Sequence, residues 1–412
     1  MCPKRNWVFA SFAFAFLLLF GSLAASARGD DMKTLAKEPR SLVLAKHPEE
    51  ANCLFSPDGK TVVSLGYVRT VTPKNSVVPI PWGGAKMWDV ASRKCRAVLD
   101  WDEPIGGVTF SPDGNLLAID AREKVGEDRL AAGLLGDGIV ILYKMKTKER
   151  VTVIKWGDGN GIGSGIFSPD GKTIAAVSTQ TDFVKGQTNG QVLIFEVPSG
   201  KLRRTLEMAK NHSVHALEFS PDGKTLAAGL THRGEYGKKE SIYDTPSIIT
   251  LWDAATGKVR VEYKELKGII RSVAFSPDGK LLAIGGELGK KVTKTILGDV
   301  LGKKVAETIL WDVTKGERRA TLTSRGPVLA LAFSHDGKLL ATGGGNQKEA
   351  ELKLWDVKTR REIRSLKGHK DLLTSVAFSP DDSMLVTGSR DGTVRLWYLR
   401  QESQPTKGKQ DR

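Results

Sequence analysis

The chain has 412 residues, 40% apolar and 7% aromatic, with 62 Lys and Arg against 47 Asp and Glu for a net charge of +15. That apolar content is ample for a core and excludes a disordered polyelectrolyte, while the basic balance raises nucleic acid, anionic surfaces and anionic polymers as partner classes. Three cysteines in such a length exclude a disulfide-stapled scaffold.

Residues 1–27 read as an export signal. Lys4 and Arg5 make a basic start, residues 7–20 form an apolar run of 14, and Ala25, Ser26 and Ala27 are the small residues a signal peptidase requires. Cleavage after Ala27 is expected. The alternative is an uncleaved membrane anchor, because no charge falls between Arg5 and Arg28 and about 20 such residues can span a bilayer. Both readings place the remainder outside the cytoplasm, periplasmic or secreted. Residues 28–39 are polar and read as a linker. Residues 40–44 then form a strand with no unit ahead of it.

From there the chain repeats. Phe-Ser-Pro-Asp-Gly begins at Phe55, Phe110, Phe167, Phe219 and Phe275; at Phe333 the Pro becomes His335, and at Phe378 the Gly becomes Asp382. Each copy follows an alternating, β-branched stretch, makes a turn through Pro and Asp, and leads into a second strand. Each is closed by an aromatic ending a third strand: Trp88, Tyr143, Phe195, Trp252, Trp311, Trp355 and Trp397. Seven turns and seven closing aromatics in strict alternation mark a repeat architecture.

These motifs resemble the WD-repeat family, in wording close to its bacterial branch, over residues 40–399. The resemblance implies an all-β fold: a single seven-bladed β-propeller of four-stranded antiparallel blades around a channel. The segment 40–44 is expected to pair beside the third strand of the last blade and so close the ring. The family carries a structural tetrad, which in the last blade falls on His369, Thr387, Asp391 and Trp397. Nine residues after each Phe stand Ser64, Ile119, Ala176, Ala228, Ile284, Thr342 and Thr387, so most blades lack the tetrad hydroxyl. Residues 400–412 read as a disordered basic tail.

Cys53 falls on an innermost strand and Cys95 on an outermost one. About three strand spacings separate them, roughly 14 Å, beyond the reach of a disulfide. Two free, mostly buried thiols are expected.

Compared with the last blade, the connection between second and third strands is longer by 14, 14, 9, 14, 17 and 3 residues in blades one to six. In a radial repeat one connection always reaches the same face. The first five blades therefore raise insertions there, near residues 66–84, 119–138, 178–190, 230–247 and 286–307. Tyr67, Trp82, Phe183, Tyr236 and Tyr243 lie on them as candidate partner-binding aromatics; packing of the insertions onto themselves as extended hairpins is the competing role. The charges of these insertions sum to only +2, so a nucleic-acid role is not expected and weak association with anionic envelope polymers is secondary.

Catalytic chemistry is hard to place. His212 and His215 would point to opposite faces of a strand, which makes a poor ligand pair. Residues 157–163 are glycine-rich but precede a strand rather than a helix, so they read as a blade connection and not a phosphate cradle. No catalytic residue, metal or cofactor is assigned. The expected function is a monomeric, non-enzymatic scaffold that binds a protein or peptide through the insertion-rich face. The alternative is an enzyme or small-ligand site at the channel mouth, drawn from Asp120, Glu123, Asp128, His232, Glu235 and Glu287.

Overall fold

A computed structural model of the chain describes residues 35–48, 50–71, 80–99, 105–123, 138–155, 161–182, 187–232, 245–288, 306–346 and 349–400. These residues form 28 strands in seven four-stranded antiparallel sheets arranged as a ring of blades. Blade 1 consists of Ala51–Phe55, Thr61–Val71, Ile80–Asp89 and Cys95–Leu99. Blade 2 consists of Ile105–Phe110, Leu116–Arg122, Gly138–Lys144 and Glu149–Lys155. Blade 3 is Gly161–Phe167, Thr173–Asp182, Gln187–Glu196 and Leu202–Leu206, and blade 4 is His212–Phe219, Thr225–His232, Pro246–Asp253 and Val259–Lys267. Blade 5 is Ile270–Phe275, Leu281–Gly286, Ala306–Asp312 and Glu317–Ser324, and blade 6 is Val328–Phe333, Leu339–Asn346, Glu349–Asp356 and Glu362–Leu366. Blade 7 takes Leu373–Phe378, Met384–Ser389 and Thr393–Arg400 from the end of the chain and its fourth strand, Leu35–Lys46, from the beginning.

That fourth strand pairs antiparallel with Thr393–Arg400, from Leu35 opposite Arg400 to Lys46 opposite Thr393. The closure therefore occurs as expected, with a longer strand. It starts at Leu35, inside the segment read as a linker, and Arg400 belongs to the sheet rather than to a tail. Residues 1–34 and 401–412, which hold the expected signal and the rest of the tail, lie outside the described residues.

The core is a set of blade-to-blade interfaces. Trp252, fully buried in blade 4, packs with Leu217 and Leu226 of its own blade and with Val177 and Val192 of blade 3. Trp397 does the same against Leu354 and Leu366 of blade 6. Each fully buried side chain of this size contributes roughly 2–3 kcal/mol through removal of apolar surface from water. A lone blade would leave both faces wet, which is why blades exist only in series.

The turns between first and second strands share one hydrogen-bond scheme. In blade 1 the Ser56 hydroxyl donates to Asp58 Oδ1 at 2.6 Å and accepts from the Thr61 amide at 3.0 Å, while Gly59 N–H returns to Ser56 O at 2.9 Å. Burial tends to raise the Asp58 pKa, but the Ser56 hydroxyl and Lys60 amide outweigh it and hold the carboxyl below its ordinary range. The turn glycine sits at positive φ and lies against the turn proline of the preceding blade: a Cβ on Gly59 would stand 3.1 Å from Pro380, and one on Gly114 3.6 Å from Pro57. Blades 6 and 7 break this pattern on both sides of one contact. His335 replaces the proline, Asp382 replaces the glycine, and the two meet: Asp382 accepts from His335 N–H at 2.8 Å, lies 3.0 Å from its Nδ1, and accepts from Asp336 N–H at 2.9 Å.

Both cysteines described are free. Cys53 is buried on the innermost strand of blade 1, where its amide donates to Ser375 Oγ at 2.9 Å. Cys95 is exposed on the outermost strand, not buried as expected. The reason is that the outer strand lies at the rim of its blade, where part of its surface faces solvent. The expected glycine-rich connection is also shorter than its sequence suggests. Gly161, Ile162 and Gly163 open the first strand of blade 3, and residues 157–160 fall outside the described residues.

Candidate functional site

Strand direction assigns every connection to one of two faces. Turns between first and second and between third and fourth strands lie on one face, called the short-turn face. Connections between second and third strands, and those from blade to blade, lie on the other, the insertion face.

On the insertion face two expected loops are partly sheet. In blade 1 the ladder runs past Gly66 opposite Gly84 and Tyr67 opposite Gly83 to Val71 opposite Ile80. In blade 3 it continues from Thr179 opposite Gly190 to Asp182 opposite Gln187. Backbone pairing satisfies the polar groups of these projecting segments, which is why they extend as hairpins rather than as loops. Tyr67 and Trp82 thus sit on strands of a projecting hairpin; Phe183, Tyr236 and Tyr243 lie outside the described residues, as do Asp128 and Glu235.

Blade 7 has no insertion and is fixed by side chains instead. Trp397 Nε1–H donates to Thr387 Oγ1 at 2.8 Å, and Thr387 Oγ1 lies 2.8 Å from His369 Nε2. The indole proton occupies one lone pair of the hydroxyl, leaving its own proton for Nε2, so His369 presents Nδ1–H to Asp391 at 3.1 Å. Burial tends to raise the Asp391 pKa, yet His369, the Thr393 hydroxyl and the Lys370 amide together hold it far below the usual carboxylate range. Each member of the chain is satisfied, the condition under which a buried polar network stabilises.

Blade 1 contains a shorter version. Trp88 Nε1–H donates to Ser64 Oγ at 2.8 Å, and Ser64 Oγ lies 2.9 Å from His47 Nε2. The His47 ring fills the space a side chain at residue 66 would need, since a Cβ on Gly66 would lie 2.0 Å from Nδ1. Burial, assisted by Lys86, lowers the His47 pKa to about 4, so the ring is neutral at pH 7. In blade 6 Trp355 donates to Thr342 Oγ1 at 3.0 Å. In blade 4 Ala228 offers no acceptor, and Trp252 Nε1 is buried without a hydrogen-bond partner.

Of the residues nominated for a channel-mouth site, the four that are described, Asp120, Glu123, His232 and Glu287, are each held by a different neighbour. Asp120 is buried between blades 2 and 3 and accepts from Gly165 N–H at 2.9 Å. Glu123 pairs with Lys155 at 2.5 Å, and Glu287 with Arg271 at 2.7 Å. His232 stacks edge-on against His212, with ring centroids 5.2 Å apart. Each is engaged by a local partner in its own or the adjoining blade. Among the described residues no group of three or more His, Cys, Asp or Glu is placed to hold a metal ion. Glu218 escaped the sequence reading: it is buried on the innermost strand of blade 4, where burial raises its pKa well above the carboxylate range despite a contact with the Phe275 backbone. It stands where the other blades carry apolar residues or threonine.

Comparison with known proteins agrees with the geometry. The family model described as WD domain, G-beta repeat matches residues 200–234, 260–290, 316–356 and 360–398. The matched segments start at or near the outer strand of one blade and run into the next, the same offset by which the chain closes its ring. Over 334 residues, 76% of this chain, the sequence is 23% identical to apoptotic protease-activating factor 1 of Rattus norvegicus, over 23% of that protein. It is 28% identical over 158 residues to small ribosomal subunit protein RACK1y of Oryza sativa subsp. japonica, covering 37% of this chain and 41% of the relative. It is 34% identical over 138 residues to Protein groucho of Drosophila melanogaster, covering 33% of this chain and 16% of the relative. The chain spans less than half the length of each of these relatives. The chain thus carries WD repeats over the matched segments, resembles WD-repeat proteins and has the fold of a seven-bladed β-propeller.

Proposed function

We propose that the protein is an exported, non-enzymatic scaffold that binds a protein or peptide through the insertion face. The observation that carries this reading is the asymmetry of the two faces. On the short-turn face the first-to-second turns keep one length and one hydrogen-bond scheme and the third-to-fourth turns differ by a single residue, whereas five blades are lengthened on the other face by 9 to 17 residues. Rigid blades that present individual hairpins on one side suit partner recognition. Propellers of the matched family serve generally as protein-interaction scaffolds. Tyr67, Trp82, Phe183, Tyr236 and Tyr243 are the aromatic anchors of this interface. The separate engagement of Asp120, Glu123, His232 and Glu287 favours binding over catalysis at the channel mouth.

The test replaces residues 289–305, which leaves the Arg271–Glu287 pair and the blade 5 strands in place, by a short turn and compares binding of partners from the native envelope. Folding stays intact and binding weakens; unchanged capture removes that insertion from the interface. Export is tested by N-terminal sequencing of the mature protein. It begins near Arg28, and a start at Met1 contradicts cleavage.

A further inference from the structure

The basic excess of this chain is concentrated. The six turns between third and fourth strands, with their flanks (89–96, 144–150, 196–204, 253–260, 312–319 and 356–364), hold 19 Lys and Arg against 8 Asp and Glu, a net of +11. All of these cations but Arg204 and Arg364 are exposed. Some of them are structural: Arg96, Arg260 and Arg319 pair with Asp89, Asp253 and Asp312 beneath the closing aromatics. The net charge already counts those carboxylates, so the excess remains after the pairs are made. Toward the axis, the seven turns between first and second strands sum to −3, so the whole short-turn face stands at +8. On the opposite face the insertions sum to +2 and the blade-to-blade segments to −4.

The placement of these charges says what they fit. They lie on six turns at the perimeter of a ring, one per blade, and not along one groove. A linear polyanion would follow a groove or a stripe, whereas an extended planar surface can meet all six turns at once. A second observation points the same way. Leu35 pairs with Arg400 at the end of the blade 7 sheet where third strands finish, so both chain ends leave from the short-turn face. The apolar run at residues 7–20 is therefore joined, through residues 21–34, to the basic face and not to the insertion face.

We propose that the short-turn face is a docking surface for a bilayer rich in anionic phospholipid, the exposed Lys and Arg of the third-to-fourth turns engaging headgroup phosphates. Such docking turns the insertion hairpins away from the membrane. It acts whether or not residues 1–27 are retained, and it does not depend on what the insertion face binds. Each Lys or Arg near an anionic surface changes partitioning by about fivefold, and the attraction fades beyond a Debye length of about 10 Å at 0.1 M salt.

Flotation of the full chain with vesicles tests this. The protein floats with phosphatidylglycerol-rich vesicles, floats less with pure phosphatidylcholine, and is released by salt. Lys144→Glu with Lys146→Glu, or Lys358→Glu with Arg361→Glu, reduces flotation on the anionic vesicles at least about tenfold. Lys144→Arg with Lys146→Arg retains it, which separates loss of charge from loss of fold, and Arg325→Glu on the insertion face leaves it unchanged. Equal flotation on both lipids overturns the proposal, as does indifference to the paired reversals. Retention on a soluble anionic polymer or on nucleic acid without flotation on anionic vesicles also overturns it.

Discussion

The two faces of this propeller differ in what holds them. On the short-turn face every first-to-second turn is built from a Ser hydroxyl, an Asp carboxylate and a residue at positive φ, and each turn touches its neighbour in the next blade. Lengthening one such turn would disturb two blades. On the insertion face the described hairpins of blades 1 and 3 complete their own backbone pairing as they project, so length there is tolerated. One face carries the ring and the other is free to vary, which is why the proposed partner interface is assigned to the latter.

The contrast can be broken most severely in blade 7, where a complete chain of side chains stands in place of an insertion. Thr387→Val keeps the shape but strands the Trp397 indole N–H and His369 Nε2. Stability falls by about 2–4 kcal/mol, since each buried unsatisfied group costs roughly 1–3 kcal/mol. Urea unfolding followed by circular dichroism measures this, and a change below about 0.5 kcal/mol would mean the chain contributes little.

Blade 1 gives a pH-dependent version of the same test. His47 is held neutral, with its pKa lowered from 6.5 to about 4. Between those values the unfolded chain binds a proton that the folded chain refuses, so stability is lost as pH falls through that window and the loss is complete near pH 4. Linkage alone would make the component about 3 kcal/mol; solvent screening of the incompletely buried ring reduces it to about 2 kcal/mol, and His47→Gln removes it from the stability–pH curve. A curve of the same shape in the variant would exclude His47 as its source.

The short-turn face is sharpened by its one irregular contact. Asp382→Ala removes the acceptor of two backbone N–H groups and costs about 1–2 kcal/mol. His335→Pro combined with Asp382→Gly restores the Pro–Gly contact used by the other six neighbouring pairs. The double variant is more stable than the sum of the two single changes predicts, with a coupling of about 1 kcal/mol in urea unfolding. Strict additivity would show that the two positions act separately. The smallest effect is expected on the variable face: replacing residues 289–305 by a short turn, which keeps the Arg271–Glu287 pair and the buried Leu288, changes unfolding free energy by less than about 1 kcal/mol, because loop length enters only logarithmically.

Much of this architecture can be read from spacing alone. Seven Phe-Ser motifs and seven closing aromatics are enough for blade number, strand order and closure by the first strand. The missed side chains have local causes. His369 precedes Phe378 by nine residues because a bulge between Leu373 and Ser375 adds one residue to the first strand of blade 7. Blade 1 has no bulge there, its register running unbroken from Ala51 to Phe55, so His47 stands eight residues before Phe55 and a fixed spacing passes over it. His335 and Asp382 are visible as two departures from the motif. That they form one contact follows only once turns of adjacent blades are known to touch. The projecting hairpins read as loops because their sequences lack strict alternation, and backbone pairing extends them.

The central claim is that partners are bound by the insertion face. Photo-crosslinking in the native envelope tests it most directly, with a benzophenone side chain at Tyr67, Trp82, Phe183, Tyr236 or Tyr243 and, for comparison, at Thr147 or Lys315 on the short-turn face. The account predicts a discrete protein adduct from the insertion positions and none from the short-turn positions. Protein adducts from Thr147 or Lys315 alone would contradict it.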